Sequence, residues 1–275
     1  MIGLDIDQTF LDSNKGIPEE NVKAVREALA AGIEVLPVTG RPLNAVPAYI
    51  MDCADFHYVI AAGGAYCGDL VNKKDLFSIF IKEETVLGAV RDLRAQGFIV
   101  TVFSDGNGYL DEKEIETAIS YAPTPGSKEY LRTQRVRVPD IDAVLTRCSK
   151  TVDKITISLP WKDGVMQRKE EAAAILAPYE EDLNIMFGTE VTVEIQAKGA
   201  DKSVAILRLG EILGIDKEEI MVCGDSENDL GMIRAVGWGV AMENASEDVK
   251  KAARFVSKSN DDGGVAYAIR KLALM

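Results

Sequence analysis

The residues best placed to do chemistry are the acids of Asp5-Ile6-Asp7-Gln8-Thr9, which follow the apolar run Ile2-Gly3-Leu4 directly. On extended backbone, side chains two apart share a face. Asp5, Asp7 and Thr9 are therefore expected to converge where this strand ends. Two close carboxylates repel each other, so the pair needs a cation or a shared proton. A nucleophile with an acid/base partner uses such a pair, and so does a metal ion. A solvated acidic turn gives the same short string.

Three further segments carry similar chemistry. Thr39-Gly40-Arg41 follows the apolar run Ile33 to Val38, where a hydroxyl and a backbone N–H suit a phosphate oxygen. Lys202 opens the helical pattern Ser203 to Leu213 and adds a point charge to a helix start that already favours anions. Lys198 is its near competitor. Gly224-Asp225-Ser226-Glu227-Asn228-Asp229 follows the apolar run Ile220 to Cys223. Asp225 and Asp229 lie four apart there, and Asn228 has an amide to donate. A few carboxylate oxygens with room for water and phosphate favour magnesium over zinc. Taken singly, each segment also reads as a strand-closing turn, a surface lysine or a helix cap.

The elements that must position these groups alternate between strand and helix. After the first strand comes a helix over Pro18 to Ala31, then the run Ile33 to Val38, a helix over Leu43 to Met51, and the run Tyr58 to Ala62 before Gly63-Gly64. The last third resumes with helix 203–213, strand 220–223, helix 229–235, strand 238–242, helix 246–253, strand 255–256 and helix 264–274. Short apolar strands separated by helices indicate a parallel sheet. The expected fold class is α/β, a Rossmann-like core whose central parallel sheet is flanked by helices. In such sheets ligands bind at the C-terminal ends of the strands, and all four segments fall at strand ends or helix starts.

The middle of the chain differs. Helices are expected at Glu83–Gln96 and Lys169–Tyr179, with β-type runs at Phe98–Phe103, Lys154–Leu159 and Val191–Ile195. Pro123, Pro125 and Gly126 mark a turn-rich interval. This reads as an inserted α+β domain over 81–195, with the core formed by 1–80 and 196–275.

Composition bounds the function. The 275 residues are 47% hydrophobic and 27% charged, ordinary for a folded globular protein. A net charge of −13 argues against nucleic acid and acidic membranes as partners, since both need a basic face. It also makes a phosphate ligand dependent on a local cation. A single histidine, His57, leaves little for His-ligated zinc or a Ser–His–Asp arrangement, and it is expected to be structural. Four cysteines without CxxC spacing read as reduced thiols. With no apolar leader or membrane-length run, a cytoplasmic location is expected.

In order and spacing the four segments resemble the haloacid dehalogenase superfamily of phosphatases, and most closely its Cof-type sugar-phosphate phosphatases with a large α/β cap. DIDQTFLDS at 5–13, VTGRP at 38–42, KGADKSVAI at 198–206 and GDSENDLGMI at 224–233 carry the resemblance, which covers nearly the whole chain. It implies Asp5 as nucleophile and Asp7 as general acid/base. It also implies Thr39, Gly40, Lys202 and Asn228 as ligands of the phosphoryl group. Mg2+ would be held by the Asp5 carboxylate, the Asp7 carbonyl and Asp225, with Asp229 in or just beyond its coordination sphere. The implied substrate is a small phosphorylated metabolite, and the implied insert is a cap that closes over the site and selects it. Three positions depart from the family pattern: Gln8 where glycine is usual, Phe10 where leucine is common, and Gly63-Gly64 in place of Asn-Gly.

Two alternatives share these residues. A phosphotransferase or phosphomutase would use Asp5 and Asp7 but shield the intermediate from water. A non-catalytic phospho-acceptor module would be about half this length. A homodimer is left open by the sequence.

Overall fold

Three apolar runs, Ile2–Leu4, Val35–Pro37 and Met221–Gly224, lie side by side in the computed structural model, which describes residues 1–187 and 192–274. All are parallel, with Gly3 opposite Leu36 on one side and Val222 on the other. Trp238–Ala241 and Phe255–Val256 extend the sheet beyond Met221–Gly224, again in parallel. Ile2–Leu4, Val35–Pro37 and Met221–Gly224 are buried on both faces, which is why they read as continuous apolar runs and not as alternation.

Helices cover both faces of the sheet. On one side Glu19–Ala30 and Gly264–Leu272 pack Ala24, Val25, Ala28, Val265 and Ile269 against Ile2, Leu4 and Cys223. On the other, Lys202–Leu213, Leu230–Ala235 and Glu247–Ala252 bring Ala205, Ile206, Leu209, Ile233 and Val249 onto Leu36, Val38 and Val222. This is the α/β Rossmann-like core that the sequence predicts.

The chain falls into two compact units. The first comprises Met1–Arg41, Val46–Ser78 and Asp201–Met275, and the second Pro42–Ala45 and Ile79–Ala200. In the second unit six strands form a mixed sheet in the order Leu183–Met186, Thr192–Ala197, Val152–Ser158, Ile99–Ser104, Asn107–Asp111, Val136–Val138. Pairing is antiparallel except for the last two strands. With the helices Glu83–Ala95, Ile115–Tyr121, Pro125–Thr133, Ile141–Cys148 and Lys169–Leu176, it is an α+β unit.

Several local expectations change. The helix read over Leu43 to Met51 is a 3₁₀ turn at Leu43–Ala45 and one helical turn at Ala48–Met51. Pro47 separates them, since it lacks an N–H and restricts the residue before it. Tyr58–Ala61 meets the parallel sheet through a Val38–Ile60 bridge, but it also starts an antiparallel set with Tyr66–Asp69 and Lys74–Ser78, a hairpin that periodicity does not reveal. The interval with Pro123 and Pro125 is a helix start. Thr124 closes a capping box with Ser127 and Pro125 takes the first turn, where its missing N–H costs nothing. Of the strand expected at Val191–Ile195, Val191 lies outside the described residues. His57 sits at the surface, Nδ1 3.0 Å from Glu34 Oε2. Among the described residues all four cysteines are free, and no helix is long and apolar enough to cross a membrane.

Candidate active site

The backbone turns sharply once the first strand ends. Asp5 N–H still donates to Cys223 O at 3.0 Å, in continuation of the sheet ladder. Residues 6–10 then form a wide loop closed by two hydrogen bonds, Phe10 N–H on Asp5 O and Leu11 N–H on Ile6 O. Asp7 keeps extended torsions, φ −76 and ψ 127, but Gln8 turns left-handed at φ 61, so the strand does not continue, and Asp5 and Asp7 do not share one cation. Each carboxylate has its own.

Asp5 is buried and pairs with Lys202, whose Nζ lies 2.7 Å from Asp5 Oδ1. The same ammonium donates to Asp229 Oδ1 at 2.7 Å. Lys202 stands on the first turn of its helix, which Asp201 caps through the Ser203 N–H. Its competitor Lys198 donates to Glu180 O within the second unit.

Asp229 spends its second oxygen on the loop that carries Asp225. Oδ2 accepts from Asp225 N and Ser226 N, both at 3.1 Å. Ser226 and Asp229 close a capping box, so the helix-cap reading of this segment and the functional one hold together. Gly224 is needed for this approach, because a Cβ there would stand 2.5 Å from Asp229 Cβ. Asp225 accepts a hydrogen bond from Thr9 Oγ1 at 2.8 Å. Carboxylate oxygens of Asp5, Asp225 and Asp229 all lie within 4.8 Å of one another.

The charges do not balance. Three carboxylates lie together with one ammonium, which pairs with Asp5 and Asp229. Burial, then Asp229 and Asp225, push the Asp5 carboxyl well above its ordinary range against the pull of Lys202. Burial and Asp229 likewise push Asp225 up to about 6. Lys202 is kept charged by Asp229 and Asp5, which outweigh its own burial. Such a cluster of hard oxygens, short of positive charge, fits a divalent cation such as Mg2+.

Asp7 is in a different situation. Arg41 Nε donates to its Oδ2 at 2.8 Å and Arg41 Nη2 to its Oδ1 at 2.7 Å, while Lys15 Nζ reaches Oδ1 at 2.9 Å. Burial works against ionisation, but the hydrogen bonds and charges of Arg41 and Lys15 prevail and hold the carboxyl down at about 2. Thr39 is buried, its N–H tied to Ile60 O, and its Oγ1 accepts the Arg41 N–H at 3.1 Å. Asn228 turns its amide toward Gly40, with Nδ2 4.0 Å from where a Cβ would stand on that glycine. The segments at 39–41 and 224–229 therefore meet.

Thr9, expected from the sequence to converge with Asp5 and Asp7, meets Asp225, and Arg41 stands in a segment singled out for phosphate; neither is given a role there, and Lys15 is not singled out. Thr9 and Arg41 lie inside the motifs and were legible there. Lys15 belongs to a surface-type string, Asp12-Ser13-Asn14-Lys15-Gly16, and carried no signal. Gln8, where glycine is usual, has φ +61. Its carbonyl accepts from Asn244 Nδ2 at 2.8 Å, and Asn260 Nδ2 lies 3.4 Å from its Oε1.

Acids and a lysine are thus gathered at the C-terminal edge of a doubly covered, Rossmann-like parallel sheet. The chain belongs to the haloacid dehalogenase-like hydrolase family, whose model matches residues 2–269. Over 278 residues it is 28% identical to the putative phosphatase YxeH of Bacillus subtilis (strain 168), covering 100% of this chain and 98% of that protein. It is 29% identical to the B. subtilis 5-amino-6-(5-phospho-D-ribitylamino)uracil phosphatase YwtE, covering 98% and 97%. Among solved structures, a haloacid dehalogenase-like hydrolase from B. subtilis superposes with a TM-score of 0.82 at 27% identity, covering 98% of this chain and 99% of that one. TM0651 from Thermotoga maritima gives 0.79 at 27% identity, covering 99% and 97%.

Proposed function

We propose that this enzyme is a magnesium-dependent phosphatase that releases inorganic phosphate from a small phosphorylated metabolite through an aspartyl-phosphate on Asp5. The observation that carries the reading is the Lys202 ammonium bridging Asp5 and Asp229 at 2.7 Å each, with Asp225 alongside. This combines a nucleophile, a cation for the equatorial oxygens and a metal-type oxygen cluster at one sheet edge.

The Asp5 and Asp225 carboxylates and the Asp7 carbonyl would hold Mg2+, while Asp229 acts through Lys202 and the loop backbone. When bound, the ion neutralises the repulsion between a carboxylate and a phosphate dianion and orients the phosphoryl group. Thr39, Gly40, Lys202 and Asn228 bind that group, and Lys202 offsets its developing charge. Asp5 attacks phosphorus in line as the P–O bond to the leaving group breaks. Asp7 gives its proton to the departing alkoxide and later takes one from the water that hydrolyses the aspartyl-phosphate. The contacts of Arg41 and Lys15 favour an ionised Asp7, the form the second step uses. A bound phosphate dianion raises its proton affinity for the first.

We assign 1–80 and 196–275 as the catalytic core and 81–195 as a cap; the compactness of residues 79–200 supports that division. The relatives named as phosphatases of small metabolites support the substrate class. Free thiols support a cytoplasmic location.

The test is phosphate release from a panel of phosphorylated metabolites with Mg2+, with EDTA, and with Asp5→Asn. Release that needs Mg2+ and vanishes in a folded Asp5→Asn protein is expected. Wild-type turnover by Asp5→Asn defeats the assignment, and transfer to a second sugar without release points to a phosphomutase.

A further inference from the structure

The loop that delivers Lys15 is built more elaborately than a surface turn needs. Asp12 folds it: its Oδ1 accepts from Asn14 N and Gly16 N, both at 2.8 Å, and its N–H donates to Gly16 O at 2.9 Å. Two distant residues then clamp it. Asp261 accepts from Ser13 N at 2.8 Å and from Ser13 Oγ at 2.9 Å. Tyr49 Oη donates to the Lys15 carbonyl at 2.9 Å.

Within this frame Lys15 has φ +66, in the left-handed region where a non-glycine residue costs about 1–2 kcal/mol. Glycine or asparagine would suit the position better. The return in stability does not cover the strain. The Lys15–Asp7 pair leaves 54% of the lysine side chain and 38% of the aspartate side chain exposed, and such pairs are worth roughly 0–1 kcal/mol. Lys15 is therefore better explained by what it does to Asp7 than by what it adds to the fold.

The three contacts on Asp7 are unequal. Arg41 grips both oxygens from one side and fixes the plane of the carboxylate. Lys15 adds a second donor to Oδ1. Among the described residues, Oδ2 accepts from Arg41 Nε alone. We propose that Lys15 is a positioning residue for Asp7: with Arg41 it immobilises the carboxylate and leaves Oδ2 as the oxygen presented to the leaving group. This rests on the phosphatase reading above.

The experiment compares wild type, Lys15→Met and Lys15→Arg, with Mg2+, on phenyl phosphates graded from p-nitrophenyl phosphate to unsubstituted phenyl phosphate. The pocket is then asked to bind nearly the same shape while the leaving group's need for a proton changes. Lys15→Met is expected to lose about tenfold in kcat on phenyl phosphate and less than about twofold on p-nitrophenyl phosphate, with KM little changed, since misplacing a catalytic group costs up to about a hundredfold. Lys15→Arg is expected to recover most of that loss. Asp261→Ala, which frees the loop without touching Asp7, is expected to show the same leaving-group pattern at smaller amplitude. An equal loss on both substrates, no loss on either, or a change confined to KM overturns the proposal while leaving the phosphatase reading standing. A wild-type protein that releases phosphate from neither substrate nor from any metabolite overturns both.

Discussion

Thr9 Oγ1 donates to Asp225 Oδ1 across 2.8 Å, joining residues 216 positions apart in the chain. Thr9 is fully buried, so this hydroxyl has no solvent alternative. It fixes one oxygen of Asp225 and leaves the other directed by the loop that Asp229 holds.

Thr9→Val removes the donor at nearly constant volume. Partners that orient a metal ligand typically cost 10–100-fold in affinity or activity when lost. We expect the Mg2+ concentration for half-maximal activity to rise about tenfold, with Vmax at saturating Mg2+ changed far less. Unchanged Mg2+ dependence would separate Thr9 from the metal.

Lys202→Met should be costly in two ways. It leaves two buried carboxylates without their ammonium, and breaking a buried pair from one side costs about 3–5 kcal/mol. On the proposed mechanism it also removes charge stabilisation from the phosphoryl group, worth about 100–1,000-fold in kcat by analogy with a lost oxyanion donor. Chemical denaturation and steady-state rates read the two separately. Mg2+ should restore part of the stability and little of the rate.

Gln8 carries a backbone cost that a glycine would not. Gln8→Gly relieves the positive φ but gives up the Asn260 contact and adds freedom to the unfolded chain, so a stability change within about 1 kcal/mol is expected. Gln8→Val keeps a side chain that tolerates this conformation poorly and should destabilise by about 1–2 kcal/mol. Denaturant midpoints for the pair decide it, and equal values would show that the strain is not felt.

Two carboxyls set opposite pH dependences. Asp225 holds its proton to about 6 in the folded protein, against 3.8 ordinarily. The folded state thus binds more protons than the unfolded one between these values, and stability falls as pH rises through them. Asp7 is held down at about 2, so the stability it contributes is present above about pH 4 and lost as pH falls toward 2. In EDTA the melting temperature should therefore drop between about pH 4 and pH 6, and Mg2+ should raise it more at the higher pH because it binds the ionised carboxylates. Asp225→Asn should flatten both responses; a pH-independent Mg2+ effect would contradict the charge imbalance described above.

Much of this site was legible before any coordinates. Acids at the ends of apolar runs locate Asp5 and Asp225, because a parallel sheet gathers its C-terminal strand ends at one edge whatever their separation in sequence. Lys202 was legible as the residue opening a helix, although nothing in the string told it from Lys198. What the sequence could not convey is side-chain partnership. Asp5 and Asp7 look equivalent when written two apart, yet the turn after Leu4 sends one to Lys202 and the other to Arg41 and Lys15. The Tyr66–Ser78 hairpin was hidden for a related reason: its strands are short and half exposed, so burial does not imprint a clear period on them.

Every member of the Lys202–Asp5–Asp229–Asp225 cluster lies outside residues 79–200, and Lys202 follows the return to the first unit by a single residue. Chemistry and the inserted unit are thus written on separate stretches of the gene. On the proposed mechanism the second unit is free to drift, or to be exchanged for another in the laboratory, without one of the proposed reacting groups being rewritten.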